Sequence, residues 1–370
     1  MIVLSRPLPN IKTLFGIQVK SSKVYDNLFY FRQGRDALLS GLIALGLQKG
    51  DNIIVPAYIC KSAIQPLQAY GFDLVFVDIG KDLELPVDAI KKMFVKDKSI
   101  KALLIVHYFG LMQNIDKVVN ICQEYGVKVV EDASHSFMSQ LLRDKDSVKG
   151  DIEILSIRKS LPIVDGGVLK INNDEYNPIK TCNSQCVSIV GDIRYLVLRL
   201  FEKLVTVLGI NIYSQLINNI KIKLRGKINT EAHDFNVEAC QPSGQLKKYL
   251  GKKKYLQSAQ CKISNNFNQL SQALVSLGFS LFVESIEDDI IPQACIIYDS
   301  EGGLSDYLRL QGIGVWQWPS EEMPEEVMQN ASRYPNAILF DKKLVLLPIH
   351  QSIGSKQINY IIQVLSGWQR

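Results

Sequence analysis

Lys159 stands in the segment "SIRKSLPIVDGG" (156–167), directly after a short apolar run and six positions before Asp165. A lysine at the end of a strand is by default a solvated surface charge. Desolvated and set beside a carboxylate, the same amine can act as a nucleophile and carry protons. Three other segments end apolar runs with reactive groups. In "VVEDASHS" an apolar strand runs into Glu131 and Asp132, followed by His135. An aspartate there is either a cap or turn former, or a carboxylate that pairs with a protonated ring nitrogen and stabilises its proton. In "IVHYFG" the group is His107, a hydrogen-bonded structural residue or a catalyst. In "RQGRDAL" (32–38) Gly34 permits a tight turn, and the backbone N–H groups of Arg35 and Asp36 open a helix. Such a helix start binds anions, and Arg35 would add a charged fork.

These groups share one placement rule, because in an open parallel sheet ligands bind beyond the carboxyl ends of the strands. From Phe31 to about Lys170 the pattern alternates. Helical periodicity is read over 34–48, 61–71, 86–94 and 115–126, and strand-like runs over 51–58, 73–79, 99–110, 127–134, 151–157 and 166–171. Strands separated by helices of this length indicate βαβ units and a mainly parallel sheet covered on both faces. After Asn172 the pattern becomes helical and irregular. From 236 onward a long helix (243–278) precedes short strands at 290–299 and 343–349 and a final helix at 355–368. The expected architecture is therefore α/β: an N-terminal arm (1–24), a large domain with a mostly parallel sheet (25–235) and a smaller α+β C-terminal domain (236–370).

Composition narrows the function classes. With 370 residues and 47% hydrophobic content the chain can bury one large core and a second smaller one. A net charge of +5 suits small polyanionic ligands, and without a long Lys/Arg block nucleic-acid binding is not expected. Lys252, Lys253 and Lys254 read as a solvated helix face. Seven cysteines at positions 60, 122, 182, 186, 240, 261 and 295 form no regular framework, which points to a reducing compartment. Cys182 and Cys186 lie four apart but lack a second Cys/His pair at ligand spacing, so no metal is expected. Arg6 and Pro7 interrupt the apolar start of the chain, which excludes a signal-peptide reading and suggests a cytoplasmic protein. The most apolar stretch, 195–213, contains Arg199, Glu202 and Lys203 and reads as an amphipathic helix for core, partner or membrane-surface packing rather than a membrane span.

In order along the chain, the glycine loop before the first helix, "DNIIVPAY", "FVDI", "VHYFG", "VVEDASH" and the Ser-x-x-Lys segment leading to "DGG" resemble the DegT/DnrJ/EryC1/StrS family of pyridoxal-phosphate-dependent sugar aminotransferases. The resemblance covers roughly 30–172, with "WQWP" and "LLPIHQS" as further family-like positions near the C-terminus. It implies a fold-type-I transferase acting as a homodimer, with pyridoxal 5′-phosphate (PLP) as cofactor and an amino-acid donor and a nucleotide-linked keto-sugar as substrates. Lys159 looks like the Schiff-base lysine, Asp132 like the partner of the pyridine nitrogen, and His135 like the group near the cofactor's 3-hydroxyl. Gly34, Arg35 and Asp36 occupy the loop that holds the phosphate, where Arg35 replaces the family's usual Thr. Ser156 is a further phosphate candidate, three positions before the lysine instead of the family's five. Cys60 stands at the position of the aromatic that covers the ring, which leaves Tyr58 or His107 as alternative covers. Asn236 is a candidate for the asparagine that a partner subunit supplies.

Overall fold

The computed structural model describes residues 1–9, 28–142, 149–172, 176, 178–207 and 237–368. Asn236, most of the proposed N-terminal arm and the part of the apolar stretch beyond Val207 lie outside them.

A seven-stranded sheet organises the chain. Its strands are β1 (Leu28–Phe31), β2 (Asn52–Pro56), β3 (Asp73–Val77), β4 (Ile100–Val106), β5 (Lys128–Asp132), β6 (Ile152–Ser156) and β7 (Gly167–Ile171), in the spatial order β1-β7-β6-β5-β4-β2-β3. The pairs β2/β3, β2/β4, β4/β5 and β5/β6 are parallel, and β7 runs antiparallel between β6 and β1. The parallel strands are near-continuous runs of Val, Ile and Leu because both faces are covered. Ile53, Ile54, Val55, Leu103, Leu104, Ile105, Val129 and Val130 are all buried. Removing each such side chain from water contributes about 1.5–3 kcal/mol. The crossover helices are α1 (Gly34–Ala44), α2 (Lys61–Tyr70), α3 (Val87–Lys96) and α4 (Asp116–Tyr125).

The expected mostly parallel α/β sheet is present, with two differences. β1 was not read from the sequence: it is four residues long, and its pairing is with residues far along the chain (Leu28 opposite Lys170). The long helix expected over 243–278 is two helices, α7 (Gly244–Leu250) and α8 (Lys253–Ser276), separated at Gly251 and Lys252. Between the sheet and α7 lie β8 (Thr181–Gln185), the amphipathic helix α6 (Ile189–Val207) and β9 (Ala239–Gln241), which pairs with β8. A disulfide joins Cys186 to Cys240, a pairing that the reading of a reducing compartment did not anticipate. Among the described residues no group of three or more His, Cys, Asp and Glu could hold a metal ion, and no helix is long and apolar enough to cross a membrane.

In the C-terminal part α8 packs against α9 (Ser355–Ser366) and on β10 (Ala294–Tyr298), which pairs antiparallel with β11 (Leu344–Pro348). The start of the chain is fastened to it. Val3 bridges to Ile313, Leu8 N–H donates to Ser352 Oγ (2.9 Å), and His350 Nε2 donates to Leu4 O (3.0 Å). Burial pushes the His350 pKa down to about 4, and its Nδ1 accepts from Ser352 N–H, which requires the neutral ring. An unfolded histidine titrates near 6.5, so between those two values the unfolded chain binds more protons and stability falls as pH falls. The expected loss is up to about 3 kcal/mol by pH 4, with His135 adding to it in the same direction. Chemical denaturation at pH 7 and pH 4.5 of the native chain and of His350→Gln checks this, since the variant should lose less.

Candidate active site

The sheet brings its reactive groups together at one edge. Register sets Val106, Asp132 and Ile154 side by side on β4, β5 and β6, and sets Ser156 and Phe31 on either side of Gly167. Asp132 is the last residue of β5, and Lys159 closes the single turn Ile157–Lys159 that follows β6. Their separation of 27 positions in sequence thus reduces to neighbouring strand ends. Beyond this edge lies a cavity of about 630 Å³, within the range of small-ligand sites. Lys159, Asp132, Gly34, Arg35, Cys60, His135 and Ser156 all line it.

Two of the expected residues do not. Asp36, the third residue of α1, turns its carboxylate back onto Gln33 N–H (3.2 Å) and serves the helix start, while burial raises its pKa. His107 points into the core: Nε2 lies 2.9 Å from Glu131 Oε2, and Nδ1 accepts from Gln113 N–H at 3.1 Å. Because Nδ1 is an acceptor, Nε2 carries the hydrogen and donates to the carboxylate. The expectation that His107 contacts or covers the cofactor is therefore corrected. β4 ends one residue before it, and the Glu131 carboxylate on the adjacent strand draws the ring away from the cavity. Tyr58 is likewise fully buried, donating its hydroxyl to Trp318 O (2.5 Å) and packing edge-on to that indole.

The electrostatics around Lys159 follow from its depth. Its side chain is open to the cavity, but the cavity is sunk in the protein, and the displaced water governs the charge. Burial lowers the Lys159 pKa, Asp132 and Cys60 oppose that, and Arg158 and Arg6 add to it; the net shift is downward. Asp132 Oδ1 accepts from Ser134 N–H (2.9 Å), which fixes the carboxylate at the strand end. His135 stacks on Phe109 (5.5 Å, 10°) and meets the Trp318 edge at 5.1 Å. Burial, then Lys159, pushes its pKa well below the ordinary range, so the ring is neutral. Its Nδ1 accepts weakly from Phe109 N–H (3.4 Å), which leaves the hydrogen on Nε2. The Cys60 thiol sits 2.8 Å from Ser62 Oγ, and burial pushes its pKa up, so it too is neutral at pH 7.

The "DGG" segment explains how the lysine turn is held. Asp165 is buried and accepts from Ser243 N–H (3.0 Å) and Ser243 Oγ–H (2.8 Å), tying the turn to the start of α7. Gly166 has φ +115°, and a Cβ on Gly167 would collide with the Gln33 carbonyl, so the chain returns into the sheet against the α1 loop only without side chains. Ser156 lies beside Gly34: a Cβ on that glycine would be 3.5 Å from Ser156 Cβ and 3.4 Å from Ser134 Oγ. Sequence reasoning did not single out Ser134, Tyr195, Arg6 or Arg158, all of which line the cavity. Trp316 and Trp318 also line it, and "WQWP" was their signal.

Residues 30–194 match the model of the DegT/DnrJ/EryC1/StrS aminotransferase family. A GDP-perosamine synthase of Vibrio cholerae is 28% identical over 144 residues, 38% of this chain and 39% of the relative. The chain thus spans about two-fifths of the length of that curated relative. Family members also share the fold. A DegT/DnrJ/EryC1/StrS aminotransferase from Brucella abortus superposes with TM-score 0.62 at 17% identity, covering 92% of this chain and 86% of its own. The PLP form of the sugar aminotransferase Spr1654 from Streptococcus pneumoniae superposes with TM-score 0.63 at 15% identity, covering 92% and 85%. These likenesses show that the chain shares the fold of those two proteins.

Proposed function

We propose that this chain is a PLP-dependent aminotransferase that moves an amino group from an amino acid, glutamate, to a keto group on a nucleotide-linked sugar, for amino-sugar and surface-polysaccharide synthesis. The observation that carries the reading is an amine of lowered pKa, Lys159, facing the same deep cavity as the strand-end carboxylate Asp132. The residues fit the cofactor. Asp132 would pair with the pyridine nitrogen and His135 Nε2–H with the 3-hydroxyl. The start of α1 with Ser134 and Ser156 would take the phosphate, as would the Arg35 Nε, which is buried without a hydrogen-bond partner. Bound PLP supplies an electron-accepting ring. Asp132 would keep the ring nitrogen protonated by its negative charge. Lys159 Nζ, uncharged once its proton is lost, would serve as the base that accepts and carries the proton of the donor's α-carbon. Trp316, Trp318 and Cys60 close the cavity wall and keep water from the reacting carbon.

The family's other properties are part of the same proposal. Val190, Ile193 and Val197 form an exposed apolar stripe on one face of α6, and this supports a homodimer in which a second copy covers it. The division into a large domain (25–235) and a small one (236–370) belongs to the same reading, with the cavity between them. The curated relative's name supports a nucleotide sugar as acceptor.

The test is a half-reaction. Protein loaded with PLP and given glutamate alone should lose its yellow absorbance and release one equivalent of 2-oxoglutarate. A protein that stays colourless with PLP, or that retains its colour with every amino acid tried, would overturn the reading.

A further inference from the structure

Beside His135 the chain adopts a conformation that its residues alone would not choose. Phe109, three residues past β4, has φ 54° and ψ 27°, in the left-handed region that a bulky side chain avoids, and Gly110 follows at φ +90°. A non-glycine residue stays there only where its surroundings fix it. Here the fixing comes from the segment before β10. Gln293 N–H donates to Phe109 O (2.6 Å), and Ser139 Oγ accepts from Ile291 N–H (2.9 Å) and lies 3.0 Å from Gly110 O. The two segments run so close that a Cβ on Gly110 would lie 2.5 Å from Ile291 O and 2.8 Å from Gln293 N. The left-handed turn aims two parts of Phe109 at one imidazole: its N–H donates to His135 Nδ1 (3.4 Å), and its ring stacks on the His135 ring (5.5 Å, 10°). Trp318 meets both rings nearly edge-on, at 5.8 Å and 5.1 Å. In a neutral imidazole the bond made at one nitrogen decides where the hydrogen sits, so this contact leaves Nε2–H as the edge available to a ligand. His135, Ile291, Pro292 and Gln293 line the cavity, while Phe109 is fully buried.

We propose that Phe109 is a positioning residue: locked left-handed by residues 291–293, it fixes the tautomer and pitch of His135 and so presents Nε2–H to the cavity. The C-terminal part thereby sets a hydrogen-bond donor that stands on the sheet. Both the backbone and the ring of Phe109 are needed. A glycine would adopt the turn without strain but bring no ring, and a leucine would fill the space without a flat face to lie parallel to the imidazole. That Nε2–H meets the cofactor's 3-oxygen rests on the aminotransferase reading; the coupling between Phe109 and His135 does not. A donor at that oxygen favours its ionised state, the form that gives the bound cofactor its yellow colour.

The experiment compares the native chain with Phe109→Leu, Phe109→Gly, His135→Ala and the two double variants, each checked for folding by circular dichroism. In cofactor-free protein at pH 7, nitrogen NMR of labelled chains reads the tautomer of His135, whose signals are those missing from His135→Ala. The native chain should show one tautomer with its hydrogen on Nε2, and averaged shifts there would overturn the proposal before any variant is made. In Phe109→Leu and Phe109→Gly the two ring nitrogens should move toward each other as the tautomers exchange. Unchanged shifts in a folded variant would overturn it too. In PLP-loaded protein both substitutions should lower the yellow fraction at pH 7 about threefold or more, with no further effect in the His135→Ala background. A loss of equal size in that background would make Phe109 a packing residue only. If the His135 signals respond as expected but the native chain takes up no PLP, the positioning stands and the aminotransferase reading falls.

Discussion

Lys159→Ala is expected to reduce turnover by about a thousandfold or more and to abolish the yellow absorbance of the PLP-loaded protein, since a positioned proton carrier supplies about 10²–10⁴-fold and the covalent link to the cofactor goes with it. Stability should move the other way. The folded chain holds the Lys159 ammonium at a cost, because its pKa is lowered by burial and by Arg158 and Arg6. That cost is present at pH values below the folded pKa, and the alanine variant removes it. Thermal unfolding of the cofactor-free variant should therefore occur at or above the native temperature. Lys159→Arg separates charge from chemistry: it keeps a cation but presents no free amine at any working pH, and should be as inactive as the alanine variant. The pH dependence carries a sign as well. Capture of PLP should quicken as pH rises through the lowered lysine pKa, with a midpoint below the ordinary value of 10.5. Asp132→Asn deletes a charge that favours the ammonium, so its midpoint should fall further. A midpoint at the ordinary lysine value would remove the basis for treating the cavity as a desolvated site.

The strand-end rule made this site partly legible. Asp132 and Lys159 each follow an apolar run, and both runs are sheet strands because their Val, Ile and Leu residues are buried on two faces. The same rule misled at His107, which also follows such a run. There the side chain's direction depends on a carboxylate 24 residues away, and no local pattern carries that. Arg6 and Arg158 were passed over for a similar reason. Each alone reads as a surface charge, and only the closed fold brings them to the same cavity as Arg35. β1 escaped notice because a four-residue strand is specified by its partner β7 more than by its own sequence. The break between α7 and α8 did have a signal, Gly251 inside the helical pattern and Ser243 as a cap, outweighed by the apolar periodicity on either side. The pairing of Cys186 with Cys240, 54 residues apart, has no spacing signature, and it is unusual for a reducing compartment.

The dipeptide Glu131-Asp132 divides its work by the pleat of β5. Successive side chains face opposite sides of a strand, so when Asp132 lines the cavity Glu131 faces into the protein. There it accepts from Gly150 N–H (2.5 Å), Lys149 N–H (2.9 Å) and His107 Nε2–H (2.9 Å). Burial alone would raise its pKa, but these bonds, His107 first, hold it below the ordinary carboxylate value. Glu131→Ala removes the acceptor and strands three donors, two of them buried, and should cost about 3–5 kcal/mol in urea unfolding. Glu131→Gln keeps an acceptor oxygen for the backbone donors and should cost less. The pH signature separates this from a simple cavity effect. A carboxylate with a lowered folded pKa contributes stability above its unfolded value near 4.5, and that contribution disappears as pH falls through the folded value. The native chain and Glu131→Ala should therefore converge in stability as pH falls below 4.5 and through the folded value, whereas a cavity penalty would persist at all pH values. Because the pair also fixes the end of β5, the alanine variant that still folds should bind PLP less tightly while keeping the lysine-linked absorbance. A stability loss below about 1 kcal/mol at pH 7 would mean that the pair is a bystander and that Asp132 is positioned by its own contact with Ser134 N–H alone.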